Sequence, residues 1–283
     1  MVLESLLNPL IAEKRPWLAL IVGFGYAIVA LFLSLWIFED HASLVMVFLA
    51  VVASLPLIYK ILIYEEEKDV KKELNEKSLL KEHSKALTAM MMIFVGMAIA
   101  FTLLYIFLPN EMAGDVFRVQ SQTIANLNQQ VTGQVSQPTL LSRIFLNNVK
   151  VLIFCIIFSF VYGAGAIFIL TWNASVIGAA AGNFVRTHLA QYAHTAGLHK
   201  IGAFFYVGSL SVLRYAVHGI PEILAYFVAA LAGGIISVSI IKKDYSGKNF
   251  QKVLLDVSDL VLLSVLILFV AALLEVFVTP ALL

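Results

Sequence analysis

The sequence predicts an all-α, polytopic transmembrane bundle of about seven helices, with a broken or re-entrant helix near 214–222. The 283-residue chain is 61% hydrophobic and 13% charged, whereas soluble globular domains are about 45–50% apolar and about 25% charged. Uncharged apolar runs of about 20 residues, the length that crosses a bilayer, recur along the chain. The charged residues collect between these runs.

Charge and cysteine content exclude several classes of protein. The net charge of +1 gives no basic patch for nucleic acid. The single cysteine, Cys155, lies in an apolar run, so it forms no intramolecular disulfide and no cysteine metal cluster. The charged start of the chain and the length of the apolar run that follows do not fit a cleavable signal peptide.

The first 85 residues contain two apolar runs and one charged run. Trp17–Phe38 and Ala42–Tyr59 predict the first two spans. Between 65 and 85, acidic and basic residues are interleaved, which favours a helix with i,i+4 ion pairs that extends a membrane helix into the cytoplasm. The sequence thus predicts a two-helix membrane extension (1–64), a charged cytoplasmic connector (65–85) and a membrane domain (86–283).

The membrane domain begins with the third span, Ala86–Asn110. Glu111–Ser142 is rich in Gln, Asn, Ser and Thr, and predicts a long functional or flexible loop with a partly amphipathic helix. Val151–Val185 is uncharged and too long for one perpendicular span, so we expect a break near Asn173.

The remaining apolar segments are 201–217, 223–241 and 257–274. Lys and Arg prefer cytoplasmic loops, and they flank the first span, fill the 65–85 connector and follow residue 241. The loop from 109 to 142 holds a single such residue before Ser142, Arg118. We therefore expect a multi-pass protein of the cell membrane with a cytoplasmic N-terminus and an extracytoplasmic C-terminus.

Ionisable and helix-breaking residues gather in and beside the last spans: Arg214, His218, Gly219, Pro221, Glu222 and Glu275. Gly219 suits the end of one helix and Pro221 the first turn of the next. A structural interpretation pairs Arg214 with Glu222 or Glu275. The alternatives are a transport or conformational role, since broken helices build ion sites at membrane depth, and catalysis.

Neither a metal nor a cofactor is predicted. The histidines at 188, 194 and 199 do not share one helical face, and an interfacial role is the simpler explanation. The amides of Asn147, Asn148 and Asn173 are predicted to join helices through interhelical hydrogen bonds.

Several of these residues, in this order, resemble the stage II sporulation protein M family. The resemblance runs from about Ala86 to Leu283, and its most specific part is His-Gly-x-x-Glu followed by a helix of small residues. The positions that carry it are Asn147, Asn148, Gly163, Ala164, Gly165, Asn173, Gly178, His218, Gly219, Ile220, Pro221, Glu222, Leu274, Glu275, Thr279 and Pro280.

The resemblance implies a prokaryotic helical membrane protein with about five spans. The founding bacterial member is a membrane scaffold for peptidoglycan-degrading partners in engulfment. The two additional N-terminal spans depart from that pattern. We expect a non-enzymatic scaffold or assembly partner in cell-envelope remodelling, in contact with the lipid bilayer and envelope proteins and not with nucleic acid. A second copy of the chain is a further candidate partner. The alternative function is a permease-like transporter of an ion, lipid or small solute that uses the 214–222 helix break, and an intramembrane hydrolase is a third hypothesis.

Overall fold

The computed structural model describes residues 9–71, 76–131, 136–162, 165–192, 198–241 and 248–281. Within these ranges the regular structure is helical. The α-helices are α1 (Pro9–Lys14), α2 (Pro16–Ile37), α3 (Ala42–Lys71), α4 (Glu76–Phe107), α5 (Asn110–Val116), α6 (Arg118–Val131), α7 (Gln137–Tyr162), α8 (Ala166–Leu189), α9 (Leu198–Ile241) and α10 (Lys248–Leu273).

Seven of the described helices are long and apolar enough to cross a membrane: α2, α3, α4, α7, α8, α9 and α10. This confirms the prediction of a polytopic helical bundle, and the protein is a multi-pass membrane protein. The predicted spans at Trp17–Phe38 and Ala42–Tyr59 correspond to α2 and to the first part of α3. The predicted division of the chain at residues 64 and 85 stays a prediction. Helices α2 and α3 together contact α4, α8 and α9, so the first two spans are packed within the same bundle as the others.

The break predicted near Asn173 is wrong. Asn173 lies inside α8, and its Nδ2 donates to the Ile169 carbonyl one turn earlier at 2.9 Å. The chain turns instead between Tyr162 and Ala166, where the sequence reads Gly163-Ala164-Gly165. Gly163 and Ala164 are outside the described residues.

The broken or re-entrant helix predicted near 214–222 is also wrong. One continuous helix of 44 residues, α9, runs through Gly219 and Pro221. A proline inside a helix costs one hydrogen bond. A complete break would instead leave up to four N–H and four C=O groups without partners, and the bilayer core has no water to satisfy them. Keeping the helix intact is therefore the cheaper solution.

Glycines set the closest helix contacts. A Cβ on Gly23 of α2 would overlap the backbone of Ile93 in α4, and a Cβ on Gly96 would overlap the carbonyl of Leu20 in return. Gly178 of α8 lies against Phe101 of α4 in the same way. Small residues that let backbones approach are the usual means of joining helices in lipid, and here they join the N-terminal extension to the rest of the bundle.

The predicted long loop from 111 to 142 is largely helical. It consists of α5, α6 and the first residues of α7, with residues 132–135 outside the described part. Phe117, between α5 and α6, is buried and makes an edge-to-face contact with Phe101 at 6.4 Å. We call residues 110–131 the α5–α6 platform, and the end of the bundle that carries it the platform end.

Candidate functional site

One polar row lies along α9. His218, Glu222 and Tyr226 follow one another at intervals of four residues, so their side chains share one face of the helix. The Tyr226 hydroxyl donates a 2.8 Å hydrogen bond to Glu222 Oε1. Tyr226 is 0% exposed and Glu222 is half-buried. The predicted residue Glu222 thus has a fixed donor on its own helix, and the i,i+4 spacing was the signal for it.

Glu275 faces this row from the end of the chain. It lies in a π-helical turn, Leu274–Val278, that continues α10. The turn contacts α9, and the carboxyl groups of Glu222 and Glu275 interact electrostatically across the contact. π-turns occur mostly as single turns and often at functional sites. The structure therefore brings the two predicted carboxyl groups to one site.

A histidine–threonine pair closes the same site. His218 Nδ1 lies 3.1 Å from Thr279 Oγ1, and that hydroxyl donates to the Leu274 carbonyl, also at 3.1 Å. A hydroxyl has one proton to donate. The hydroxyl therefore either donates to the Leu274 carbonyl and accepts from a protonated Nδ1, or donates to an unprotonated Nδ1 of His218.

Gly219 and Pro221 shape α9 between these groups. Gly219 is buried and helical, with no neighbouring atom within 4 Å of where a Cβ would stand, and Pro221 is half-buried. Pro221 has no N–H to give to the carbonyl of Val217, so the ladder of α9 lacks one bond one turn before Pro221. Both residues act on the backbone that positions His218 and Glu222.

The prediction that Arg214 pairs with Glu222 or Glu275 is wrong, although Arg214 lies near enough to His218 to interact with it electrostatically. No carboxylate of the described residues lies within ion-pair distance of it. Its guanidinium carbon is instead 5.6 Å from the centre of the Phe184 ring, and the side chain is exposed. Along the continuous α9, Arg214 and Glu222 are about 12 Å apart, which the predicted break would have shortened.

The other predicted polar residues do not converge on a metal site. Within the described ranges, no three His, Cys, Asp or Glu side chains come together to hold an ion. His188 Nδ1 bonds to the Phe184 carbonyl at 2.8 Å, His199 is exposed, and His194 is outside the described residues. The histidine positions therefore stay dispersed.

The predicted asparagine bonds between helices are absent from the described part of the chain. Asn173 bonds within α8. Asn147 is exposed and Asn148 is buried, and neither makes a hydrogen bond to another described helix. A different amide joins helices, Gln120.

Gln120 of α6 is 0% exposed and connects three helices. Its Oε1 accepts a 2.6 Å bond from the Ser43 hydroxyl of α3. Its Nε2 donates to the Ser43 carbonyl at 3.3 Å and to Ser175 Oγ of α8 at 3.2 Å. Sequence reasoning missed Gln120. Its partners lie far away in the chain, and the sequence shows only that the 111–142 segment is rich in Gln and Asn.

Arg186 is a second interhelical group that the sequence did not reveal. Its Nε donates to the Ile106 carbonyl at 3.2 Å, Nη1 donates to Asn110 Oδ1 at 2.9 Å, and Nη2 donates to the Leu108 carbonyl. The guanidinium also lies 5.3 Å from the Tyr105 ring centre. A cation at the C-terminal carbonyls of α4 is stabilised by the helix dipole, and it fixes α8 to the start of the platform.

The platform itself is anchored on one side and exposed on the other. Val116 and Phe117 are buried with Gln120, while Arg118 Nη2 donates to the Asp40 carbonyl at 3.1 Å. Ten residues of the platform are exposed among those whose side chains the structure describes: Asn110, Glu111, Met112, Gly114, Asp115, Arg118, Ser121, Gln122, Ala125 and Asn126. The result is a rigid, mainly polar surface on an otherwise apolar bundle.

Comparison with protein-family models gives one finding that covers most of the chain. The model described as stage II sporulation protein M matches residues 86–280, which contain the α5–α6 platform, the polar row of α9 and the π-turn. The comparisons with curated proteins and with solved structures give no match. The chain belongs to the stage II sporulation protein M family.

Proposed function

We propose that this protein is a non-enzymatic scaffold of the cell membrane that assembles envelope-remodelling proteins on its α5–α6 platform. The observation that supports this most directly is the platform itself. It is a polar segment fixed to the bundle by Phe117, Gln120 and Arg118, and it keeps a row of polar side chains exposed. A pre-ordered surface binds a partner with a smaller loss of conformational entropy than a flexible loop does.

The hydrogen bonding of the polar row supports the non-enzymatic part of the proposal. A threonine nucleophile would need His218 to accept its proton, and the Leu274 carbonyl competes for that proton at the same distance of 3.1 Å. Glu222 is bonded to Tyr226 and not to His218, so it does not orient the imidazole as the third member of a triad would.

The proposed orientation places the platform outside the cytoplasm. Lysines after residue 241 and in the 65–85 connector favour a cytoplasmic N-terminus, and seven crossings then put both the platform and the C-terminus on the other side. A cysteine introduced at Gln122 is expected to react with a membrane-impermeant maleimide in intact cells. Cys155 is buried, so it contributes little background labelling. If the new cysteine reacts only after the cells are lysed, the platform lies in the cytoplasm and the proposed orientation is wrong.

Site-specific photocrosslinking tests the scaffold. A photoreactive amino acid at Gln122, exposed on α6, is compared with the same amino acid at Leu255, which is 69% exposed on the apolar helix α10. We expect one or a few discrete protein adducts from Gln122 and none of these from Leu255. Adducts that are the same from both positions, or none from Gln122 and from Glu111 on α5, would argue against a partner on the platform.

Transport is a second candidate, favoured by one observation. Two carboxyl groups, Glu222 on α9 and Glu275 in the π-turn, lie near enough to interact electrostatically, and such groups in membrane helices often serve proton or ion relays. Replacement of Glu222 by glutamine keeps an acceptor for Tyr226 and removes the exchangeable carboxyl proton. If the protein transports through this site, flux into liposomes falls with Glu222→Gln at equal protein abundance, whereas a scaffold keeps its crosslinked partners.

A further inference from the structure

The long helix α9 is weakest near its middle. Gly219 is a poor helix former, and Pro221 gives no N–H to the carbonyl of Val217. Proline is one of the few causes of a sharp bend in a helix. Gly219 is buried, yet no neighbouring atom lies within 4 Å of where its Cβ would stand, so the backbone has room to change its angle there. We call residues 219–221 the hinge of α9.

Two aromatic contacts indicate that α9 is not parallel to α4 along its whole length. Phe227 packs edge-to-face on Phe94 at 6.0 Å, and Phe204 stacks on Phe107 at 6.1 Å. Between these contacts α4 rises by about 20 Å, whereas α9 rises by about 35 Å. The longer path of α9 fits between them when the helix is inclined to α4 or bends, and the hinge lies within this interval.

The end of the chain lies across this hinge. We call residues 274–281, a π-turn followed by a 3₁₀ turn, the strap, and both of its turns contact α9. Before the hinge, Thr279 Oγ1 lies 3.1 Å from His218 Nδ1. After the hinge, Glu275 lies near enough to Glu222 to interact with it electrostatically. A segment that contacts a helix on both sides of a hinge restrains the angle between the two halves.

The half of α9 before the hinge reaches the platform end. The Ser211 hydroxyl donates to the Ala181 carbonyl of α8 at 3.2 Å, and Phe204 lies on Phe107, the last residue of α4. These contacts, like the hydrogen bond between His218 and Thr279, are single and local. One hydrogen bond contributes little net stability, so the strap can open without unfolding of the bundle.

We propose that the strap is a conformational device that fixes the bend of α9: while Thr279 holds His218 the helix keeps its angle at the hinge, and when this bond opens residues 198–218 swing against the rest of the bundle. The moving half contacts α4 next to the start of the platform, so the strap connects the polar site with the platform end. This inference does not rest on the scaffold role of the platform.

The distance between two spin labels tests the strap on the full-length protein in nanodiscs. One label is placed at Ile201→Cys on the first half of α9 and the other at Leu262→Cys on α10. Both positions are more than half exposed, and Cys155 is buried. Ile201 lies about 27 Å from the hinge along the axis, so a change of about 20° in the bend displaces it by about 9 Å. Pulsed electron paramagnetic resonance resolves such a displacement.

Two variants of Thr279 separate its hydroxyl from its shape. Thr279→Val keeps the shape and removes the hydroxyl, and we expect it to shift or broaden the distance distribution by several ångströms. Thr279→Ser keeps the hydroxyl and should give the distribution of the unaltered chain. Thr102→Val removes a hydroxyl that bonds within α4 and should have no effect. The same distribution for Thr279→Val and for the unaltered chain would overturn the proposal.

An alanine at the hinge distinguishes a hinge from a general loosening of the bundle. Gly219→Ala, added to Thr279→Val, should stiffen α9 and narrow the distribution again. Gly208→Ala is the matched control, since this glycine lies in the same helix and also has no neighbouring atom within 4 Å of its Cβ position. Equal effects of the two alanines would contradict a hinge at this point. If Thr279→Val does not fold, His218→Leu removes the same hydrogen bond from the side of α9 and replaces it in both comparisons.

Discussion

Replacement of Gln120 by methionine should loosen the platform from the bundle. Methionine has nearly the shape of glutamine and loses three hydrogen bonds, of which the 2.6 Å bond from Ser43 is the shortest. The Ser175 hydroxyl keeps its 2.7 Å bond to the Trp172 carbonyl. The Ser43 hydroxyl loses the acceptor for its proton, while its oxygen still accepts from the Val119 N–H at 3.3 Å. An unsatisfied buried polar group costs about 1–3 kcal/mol, and interhelical bonds in membranes average about 0.6 kcal/mol.

We therefore expect Gln120→Met to lower the free energy of unfolding by about 2 kcal/mol. Equilibrium unfolding in a denaturing detergent measures the change, and hydrogen exchange should rise in residues 118–126. Gln122→Met makes the same chemical change at an exposed position two residues later and should alter the free energy by less than about 0.5 kcal/mol. If the two variants unfold alike and exchange alike, Gln120 does not hold the platform.

Three further substitutions, with Gly25→Ala as a control, test other contacts of the bundle. Arg186→Lys removes the planar fork that bonds the end of α4, and should cost about 2 kcal/mol in detergent unfolding; an unchanged midpoint would show that a point charge suffices. Gly96→Ala places a methyl group against the Leu20 carbonyl and should lower the thermal midpoint by several degrees. Gly25→Ala, with open space around it, should leave the midpoint the same or raise it slightly, and equal effects of the two would contradict the close approach. Glu222→Gln keeps an acceptor for Tyr226, so the unfolding free energy should change by less than about 1 kcal/mol, and a larger loss would mean that the carboxyl group itself stabilises the fold.

The membrane spans could be predicted because lipid leaves the chain few choices. An apolar run of about 20 residues has to become a helix in a bilayer, so Trp17–Phe38 became α2 almost residue for residue. The same physics explains the failure at 214–222. Gly219 and Pro221 end helices in water, but inside a bilayer a broken helix has unpaired backbone groups, and α9 stays continuous.

The candidate site was predictable only in part. Glu222, His218 and Glu275 stood out because ionisable residues in apolar sequence are costly. The partners were harder to see. Thr279 and Glu275 reach α9 through a π-turn, which has no sequence signal. Arg186 binds backbone carbonyls, and every residue has such a carbonyl, so the sequence does not mark these partners. The sequence suggests a carboxylate partner for Arg214, because opposite charges are visible in it. The contact with the Phe184 ring depends on how α8 and α9 pack, which the sequence does not show.

The most direct test of the scaffold proposal is to crosslink the platform to the partner that it binds. A photoreactive amino acid at Gln122 is placed in the otherwise natural chain and in the Gln120→Met variant, and adducts are compared in living cells at equal abundance in the membrane. We predict that specific protein adducts form in the first protein and fall several-fold in the second, because the exposed face of α6 loses its fixed position. Equal adduct yields with and without Gln120, or no protein adduct in either, would contradict the claim that the α5–α6 platform recruits a partner.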